Sequence, residues 1–220
     1  MDPPWMVEIE PGLFLGNMRS SWDLPAIQAN NIKAIVSLLH MSAAQWARVW
    51  FRGLVTRENH IMIRCVDTLT QDLLQYMGHI CDFIDGRLLS TESSQPLEQR
   101  PEGPAGDPVT GKSQGSVLIH CEMGISRSAT VLIAYLMRKH RTTLQETLEL
   151  VKQKRKVKPN PNFMDQLKIW GQLEYKIWDD TRKRIPKLLY QEYLDKRAET
   201  LKSLGKTGDE PWEDVILSGR

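Results

Sequence analysis

Val117-Leu118-Ile119 reads as a short buried strand. It runs through His120-Cys121-Glu122-Met123-Gly124-Ile125-Ser126-Arg127-Ser128 straight into an apolar helical stretch over residues 128–139. A strand that becomes a helix within so few residues confines the chain to an α/β arrangement, with the intervening loop at the carboxyl end of the strand. Five residues separate Cys121 from Arg127, and Gly124 lies between them.

That loop has a definite chemical capability. The start of a helix presents unpaired main-chain N–H groups and the positive end of the helix dipole. With Gly124 permitting a tight curl, the amides of Glu122, Met123, Gly124, Ile125, Ser126 and Arg127 converge into a nest for a tetrahedral oxyanion. The Arg127 guanidinium closes the ring as a planar fork on two phosphate oxygens. Cys121 sits at the mouth, where the donors that bind phosphate also favour a thiolate. Such a thiolate attacks phosphorus and forms a covalent cysteinyl-phosphate. Ser128 is placed to donate its hydroxyl to the Cys121 sulfur. His120 is expected to order the loop by hydrogen bonding, not to act as a base.

The rest of the chain supplies a scaffold of alternating strands and helices. Residues 7–17 alternate around Pro11-Gly12 as an edge hairpin. A helix is expected over 22–30, a buried strand over 32–39, and a helix beginning in 40–59, which holds Trp46, Trp50 and Phe51. An apolar strand at 61–66 stops at Asp67. A helix over 72–89 follows, with Leu73, Met77, Ile80, Cys81 and Ile84 on its buried face. Beyond the central loop, Thr143 and Glu146 form a capping box that opens a helix to about residue 155. A turn at 158–162 leads to a helix over 163–178. In the tail, Pro186 opens a helix with Leu189, Tyr193, Leu201 and Leu204 on one stripe, ended by Gly205. Residues 91–115 are rich in Ser, Pro, Glu, Gln and Gly and read as a disordered insertion. The domain reading is residues 1–178 as one α/β unit and 179–220 as a helical extension.

Composition narrows the function classes. The formal net charge of +2 is too mild to make nucleic acid the main partner. The basic stretch 138–158 reads foremost as a solvated face, with an RNA- or ribosome-associated scaffold as the rival. The 3 cysteines, Cys65, Cys81 and Cys121, form neither a disulfide framework nor a CxxC metal pair. No cofactor or metal is expected, and a cytoplasmic or nuclear setting fits. The amino terminus lacks a signal-peptide pattern, and no apolar run is long enough to span a bilayer.

The string His120-Cys121-x-x-Gly124-x-x-Arg127-Ser128 resembles the signature loop of the cysteine-based protein tyrosine phosphatases. Its Gly124-Ile125-Ser126-Arg127-Ser128 ending resembles the dual-specificity branch. Residues 12–17, 30–38 and 159–167 resemble further segments of that branch, so the likeness covers about residues 7–178. The resemblance implies a central, mostly parallel twisted sheet flanked by helices. It also implies an aspartate on a separate loop as general acid. Asp67 matches that position best, with Asp72 as the alternative. Asn160 is implied as a support for the signature loop.

The implied activity is hydrolysis of phosphoprotein, phosphotyrosine foremost, with phosphoserine and phosphothreonine left open. Acidic Glu122 in the loop disfavours highly anionic inositol phosphates. A binding module without turnover is the second reading, although the cysteine, arginine and aspartate of the family are all present. Cys65 is a candidate redox partner for Cys121.

Overall fold

The computed structural model describes residues 5–40, 55–88, 115–180, 182 and 185–207. The insertion expected at 91–115 and the helix expected to begin in 40–59, with Trp46, Trp50 and Phe51, lie outside the described residues, Gly115, His40 and 55–59 apart.

Five strands form one sheet: β1 (Met6–Glu10), β2 (Leu13–Gly16), β3 (Ile32–Leu39), β4 (His60–Arg64) and β5 (Ser116–Cys121). Their order is β1-β2-β5-β3-β4. The β1–β2 pair is antiparallel, as the Pro11-Gly12 turn dictates. The other three pairings are parallel. The fold is therefore the expected α/β arrangement around a mostly parallel sheet.

Period-two alternation divides the core between the two faces of the sheet. Val117, Ile119 and Cys121 of β5 join Ala34, Val36 and Leu38 of β3 in the larger cluster. Leu118, Ile35 and Leu39 face the smaller one, with Phe14 and Ile27. The alternation also sends Ser37 and His120 to this second side, paired in register with each other.

The helices are α1 (Leu24–Ala29), α2 (Leu74–Leu88), α3 (Arg127–His140), α4 (Leu144–Lys154), α5 (Pro161–Gln172) and α6 (Leu188–Ser203). Every residue of α3 from Arg127 to Met137 is buried, as befits a helix whose run from Ala129 to Met137 is almost wholly apolar. The Thr143–Glu146 capping box opens α4. The helix expected over 163–178 stops six residues early. Glu174 and Tyr175 turn left-handed there, and the Tyr175 N–H closes onto the Trp170 carbonyl at 2.9 Å. The Tyr175 ring meets the Trp170 edge at 5.7 Å, a tertiary contact that overrides helical propensity.

The tail helix begins at Leu188, because Pro186 is engaged in a bridge to Trp178. Its buried residues are Tyr190 and Leu201. Leu204, expected on the apolar stripe, is exposed. Among the described residues no helix is long and apolar enough to cross a membrane.

Candidate active site

Parallel strands bring their carboxyl ends to one edge of the sheet, and two loops meet there. The first, residues 122–126, joins β5 to α3. The second, residues 65–73, joins β4 to α2.

In the first loop the Cys121 sulfur receives the Gly124 N–H at 3.2 Å and the Ser128 hydroxyl at 3.1 Å. Cys121 is buried, while Glu122 and Met123 are exposed at the rim. Gly124 has φ +70°, and a Cβ placed there would lie 2.5 Å from the Gly16 carbonyl oxygen. Only glycine meets both conditions without displacement. The loop is tied to its surroundings by main-chain bonds: Met18 N–H to the Glu122 carbonyl at 3.1 Å, and Lys158 N–H to the Ile125 carbonyl at 2.9 Å.

Arg127 is only 4% exposed. It donates to the Cys65 carbonyl at 3.1 Å and to Glu122 Oε2 at 3.3 Å. Its Nε has no hydrogen-bond acceptor among the described residues. A guanidinium this buried with an unmatched donor is suited to an anionic group.

The second loop brings Asp67 to the same place. Its Oδ1 accepts from Ser126 Oγ at 3.0 Å and from Asn160 Nδ2 at 2.7 Å, and its Oδ2 lies 3.9 Å from Arg127 Nε. Asp72 lies elsewhere in the network. It is buried, it accepts from Tyr190 Oη at 2.7 Å and from Gln75 N–H at 3.3 Å, and burial pushes its carboxyl up. Asn160 links the two loops and anchors that link to α5. Its Oδ1 caps α5 by accepting Phe163 N–H at 2.9 Å, its main-chain N–H donates to Ser126 Oγ at 3.2 Å, and its Nδ2 holds Asp67.

His120 is fully buried. Its Nε2 lies 2.7 Å from Ser37 Oγ, which lies 2.9 Å from Nε2 of His60. Burial pushes His120 down to about 3 and His60 down to about 4, so both rings are neutral near neutrality. Burial pushes the Cys65 thiol up to about 12, so it is a thiol, not a thiolate, at physiological pH.

Ser37, His60 and Arg155 were not singled out as site residues by the sequence pattern. Arg155 belongs to the basic run read as a solvated face, yet its Nε donates to the Gly124 carbonyl at 3.2 Å. Others of that run are also engaged within the fold: Arg138 with Asp82 and Asp85, Lys139 with Glu10, and Lys154 with the Ile9 carbonyl. Ser37 could have been found from alternation alone, as the one polar residue in the buried stretch 34–39 of β3. Nothing local marks Arg155. Among the described residues no cluster of His, Cys, Asp or Glu could hold a metal ion.

Comparison with known proteins agrees with this geometry. The dual specificity phosphatase catalytic domain matches residues 109–173. The Drosophila melanogaster dual specificity protein phosphatase MPK-4 is 30% identical over 171 residues, 77% of this chain and 37% of that protein. Human dual specificity protein phosphatase 2 is 35% identical over 162 residues, 73% of this chain and 42% of that protein. The chain thus spans about two fifths of the length of these relatives. Among solved structures, the human tyrosine phosphatase-like serine/threonine/tyrosine-interacting protein superposes with a TM-score of 0.61 at 26% identity, covering 78% of this chain and 98% of that one. The Yvh1 phosphatase domain from Chaetomium thermophilum gives 0.58 at 26% identity, covering 76% and 94%.

Proposed function

The chain belongs to the dual-specificity family of cysteine-based phosphatases, and on that premise we propose that it hydrolyses phosphoprotein through a cysteinyl-phosphate. Phosphotyrosine is the foremost substrate, with phosphoserine and phosphothreonine as the further candidates. The observation that carries this reading is the meeting of three groups at one edge of the sheet. They are a twice hydrogen-bonded Cys121 sulfur, the Arg127 guanidinium, and an Asp67 carboxylate 3.9 Å from that guanidinium.

In the first step the Cys121 thiolate attacks phosphorus as the ester P–O bond breaks. Arg127 and the loop amides stabilise the charge on the equatorial oxygens. Asp67 delivers its proton to the leaving oxygen. In the second step Asp67 takes a proton from water, the water oxygen attacks phosphorus, and the S–P bond breaks. The Ser128 hydroxyl, already 3.1 Å from the sulfur, stabilises the departing thiolate. Neutral His120, held through Ser37, orders the loop and takes no proton. Asn160 and Ser126 orient the Asp67 carboxylate toward the nest.

Residues 1–178 are read as the catalytic domain and 179–220 as a helical extension. Three free cysteines fit a reducing compartment, cytoplasm or nucleus. A phosphopeptide panel run on wild type, Cys121→Ser and Asp67→Asn tests the reading. The first variant is expected to lose essentially all turnover while still binding phosphopeptide. The second is expected to fall by about 10²- to 10⁴-fold. Turnover that survives Cys121→Ser would rule the mechanism out.

A further inference from the structure

The loop that carries Asp67 has little of its own to hold it. Between Arg64 and Leu74 it forms neither helix nor strand, and Leu69 at its tip is 65% exposed. Its main-chain carbonyls are instead taken up by side chains from distant segments. Thr68 O accepts from Asn160 and Asn162. Gln71 O accepts from Asn162 and Gln166. Thr70 O accepts from Arg197 Nε at 2.6 Å.

Arg197 belongs to α6, as do two more contacts. Tyr190 Oη donates to Asp72 at 2.7 Å, and Tyr193 Oη donates to Asn162 Oδ1 at 3.2 Å. Positions 190, 193 and 197 are spaced by three and four, so they share one face of the helix. The hydrogen bonds of that face all end on the Asp67 loop or on a residue that holds it, while the Tyr190 ring also packs against Trp178 at 5.4 Å. Apolar burial anchors the helix through Tyr190 and Leu201, with Tyr193 and Leu194 packed against the larger core cluster, and the polar contacts are what join that anchor to the loop. The helix also lies beyond residue 173, where the match to the family's catalytic domain ends.

We infer that α6 is a positioning brace for the general acid, with Arg197 and Tyr190 as positioning residues that act through the 65–73 loop. The inference rests on the assignment of Asp67 as that acid. A charged donor makes the Arg197 bond to Thr70 stronger than a neutral one. It fixes the main chain three residues from Asp67. Release of this end lets the carboxylate drift while Cys121, Arg127 and the nest stay in place.

The two consequences separate chemically. In the first step a good leaving group departs without a proton, so its release is indifferent to where Asp67 lies, while the water-activating second step is common to both substrates. Release of a poor leaving group depends on that position. Release of phenol from phenyl phosphate and of p-nitrophenol from p-nitrophenyl phosphate in the first turnover is measured on the full chain for wild type, Arg197→Ala, Tyr190→Phe and Asp67→Asn. Thermal unfolding confirms that each variant is folded at the assay temperature. Tyr190→Phe keeps the ring in the core, so it serves if Arg197→Ala is too unstable. Asp67→Asn is expected to lose about 100-fold or more on phenyl phosphate and far less on the nitrophenyl ester. The two α6 variants are expected to lose about tenfold on phenyl phosphate and under about twofold on the nitrophenyl ester. If the α6 variants lose both activities equally, or lose neither, while Asp67→Asn shows the split, α6 is a passive element and the inference is overturned. If Asp67→Asn itself shows no split, the assignment of Asp67 falls, and the brace with it.

Discussion

The two loops at the edge of the sheet are built on opposite principles. The Cys121–Arg127 loop takes its shape from within, from a glycine at φ +70°, a helix start and two donors on one sulfur inside eight residues, with Met18, Arg155 and Lys158 only tying that shape to its neighbours. The Asp67 loop is held from outside, by Asn160, Asn162, Gln166 and Arg197, which lie about 90 to 130 residues away in the chain. A phosphate nest is a main-chain structure that nearby residues can specify. A proton donor must be aimed at a point set by another segment, and only tertiary contacts supply that aim.

The contrast predicts that the two loops break differently. The largest effect is expected from Gly124→Ala. Its Cβ meets the Gly16 carbonyl at 2.5 Å, so the nest must distort. Activity on good and poor leaving groups should fall alike, by about 100-fold. Steady-state kinetics on two aryl phosphates checks this, and a loss confined to the poor leaving group would erase the distinction between the loops.

Gln166→Leu strikes the other loop. Gln166 is fully buried, and its Oε1 accepts both Leu73 N–H at 2.8 Å and Leu74 N–H at 2.9 Å. Removal of that acceptor leaves two buried donors unmatched, at a cost of about 2–4 kcal/mol. Denaturant unfolding measures the cost. The remaining folded enzyme should retain most of its turnover of p-nitrophenyl phosphate.

The smallest effect is sought in pH. His60 and His120 have folded-state values of about 4 and about 3, below the usual imidazole value. As pH falls, the unfolded chain therefore binds protons before the folded one does. Stability is full above about pH 6.5 and drains away as pH drops toward those folded values. His60→Gln should flatten the fall between pH 6.5 and 4 by on the order of 1–2 kcal/mol, the partial exposure of this ring being allowed for. Thermal unfolding across that range reads it. An unchanged slope would mean that the Ser37-centred chain of contacts under His120 does not hold His60 neutral.

Much of the architecture can be read from the chain because local rules suffice for it. The Thr143–Glu146 box starts α4 where its spacing says. Alternation sends Val117 and Ile119 to one face of the sheet and Leu118 to the other. The errors fall where distant contacts intervene. The helix of residues 161–172 ends early because Tyr175 packs on Trp170. The tail helix buries Tyr190 and turns Arg197 to the 65–73 loop, leaving Leu204 exposed, because the loop's carbonyls lie beside the part of the core it packs on. Arg155 turns inward because the Gly124 carbonyl is there to receive it.

What the sequence determined by itself is the chemistry of the nest: a sulfur, a glycine and a guanidinium within one strand–loop–helix step, where short-range geometry leaves few alternatives. What the tertiary structure decided is which aspartate stands beside Arg127 and what keeps it there. Asp67 and Asp72 are five residues apart; the end of the 61–66 strand and the family likeness favour Asp67, but the sequence does not show what holds either one. They part because one meets Ser126 and Asn160 while the other is buried under Tyr190. Those partners come from segments that only the folded chain brings together.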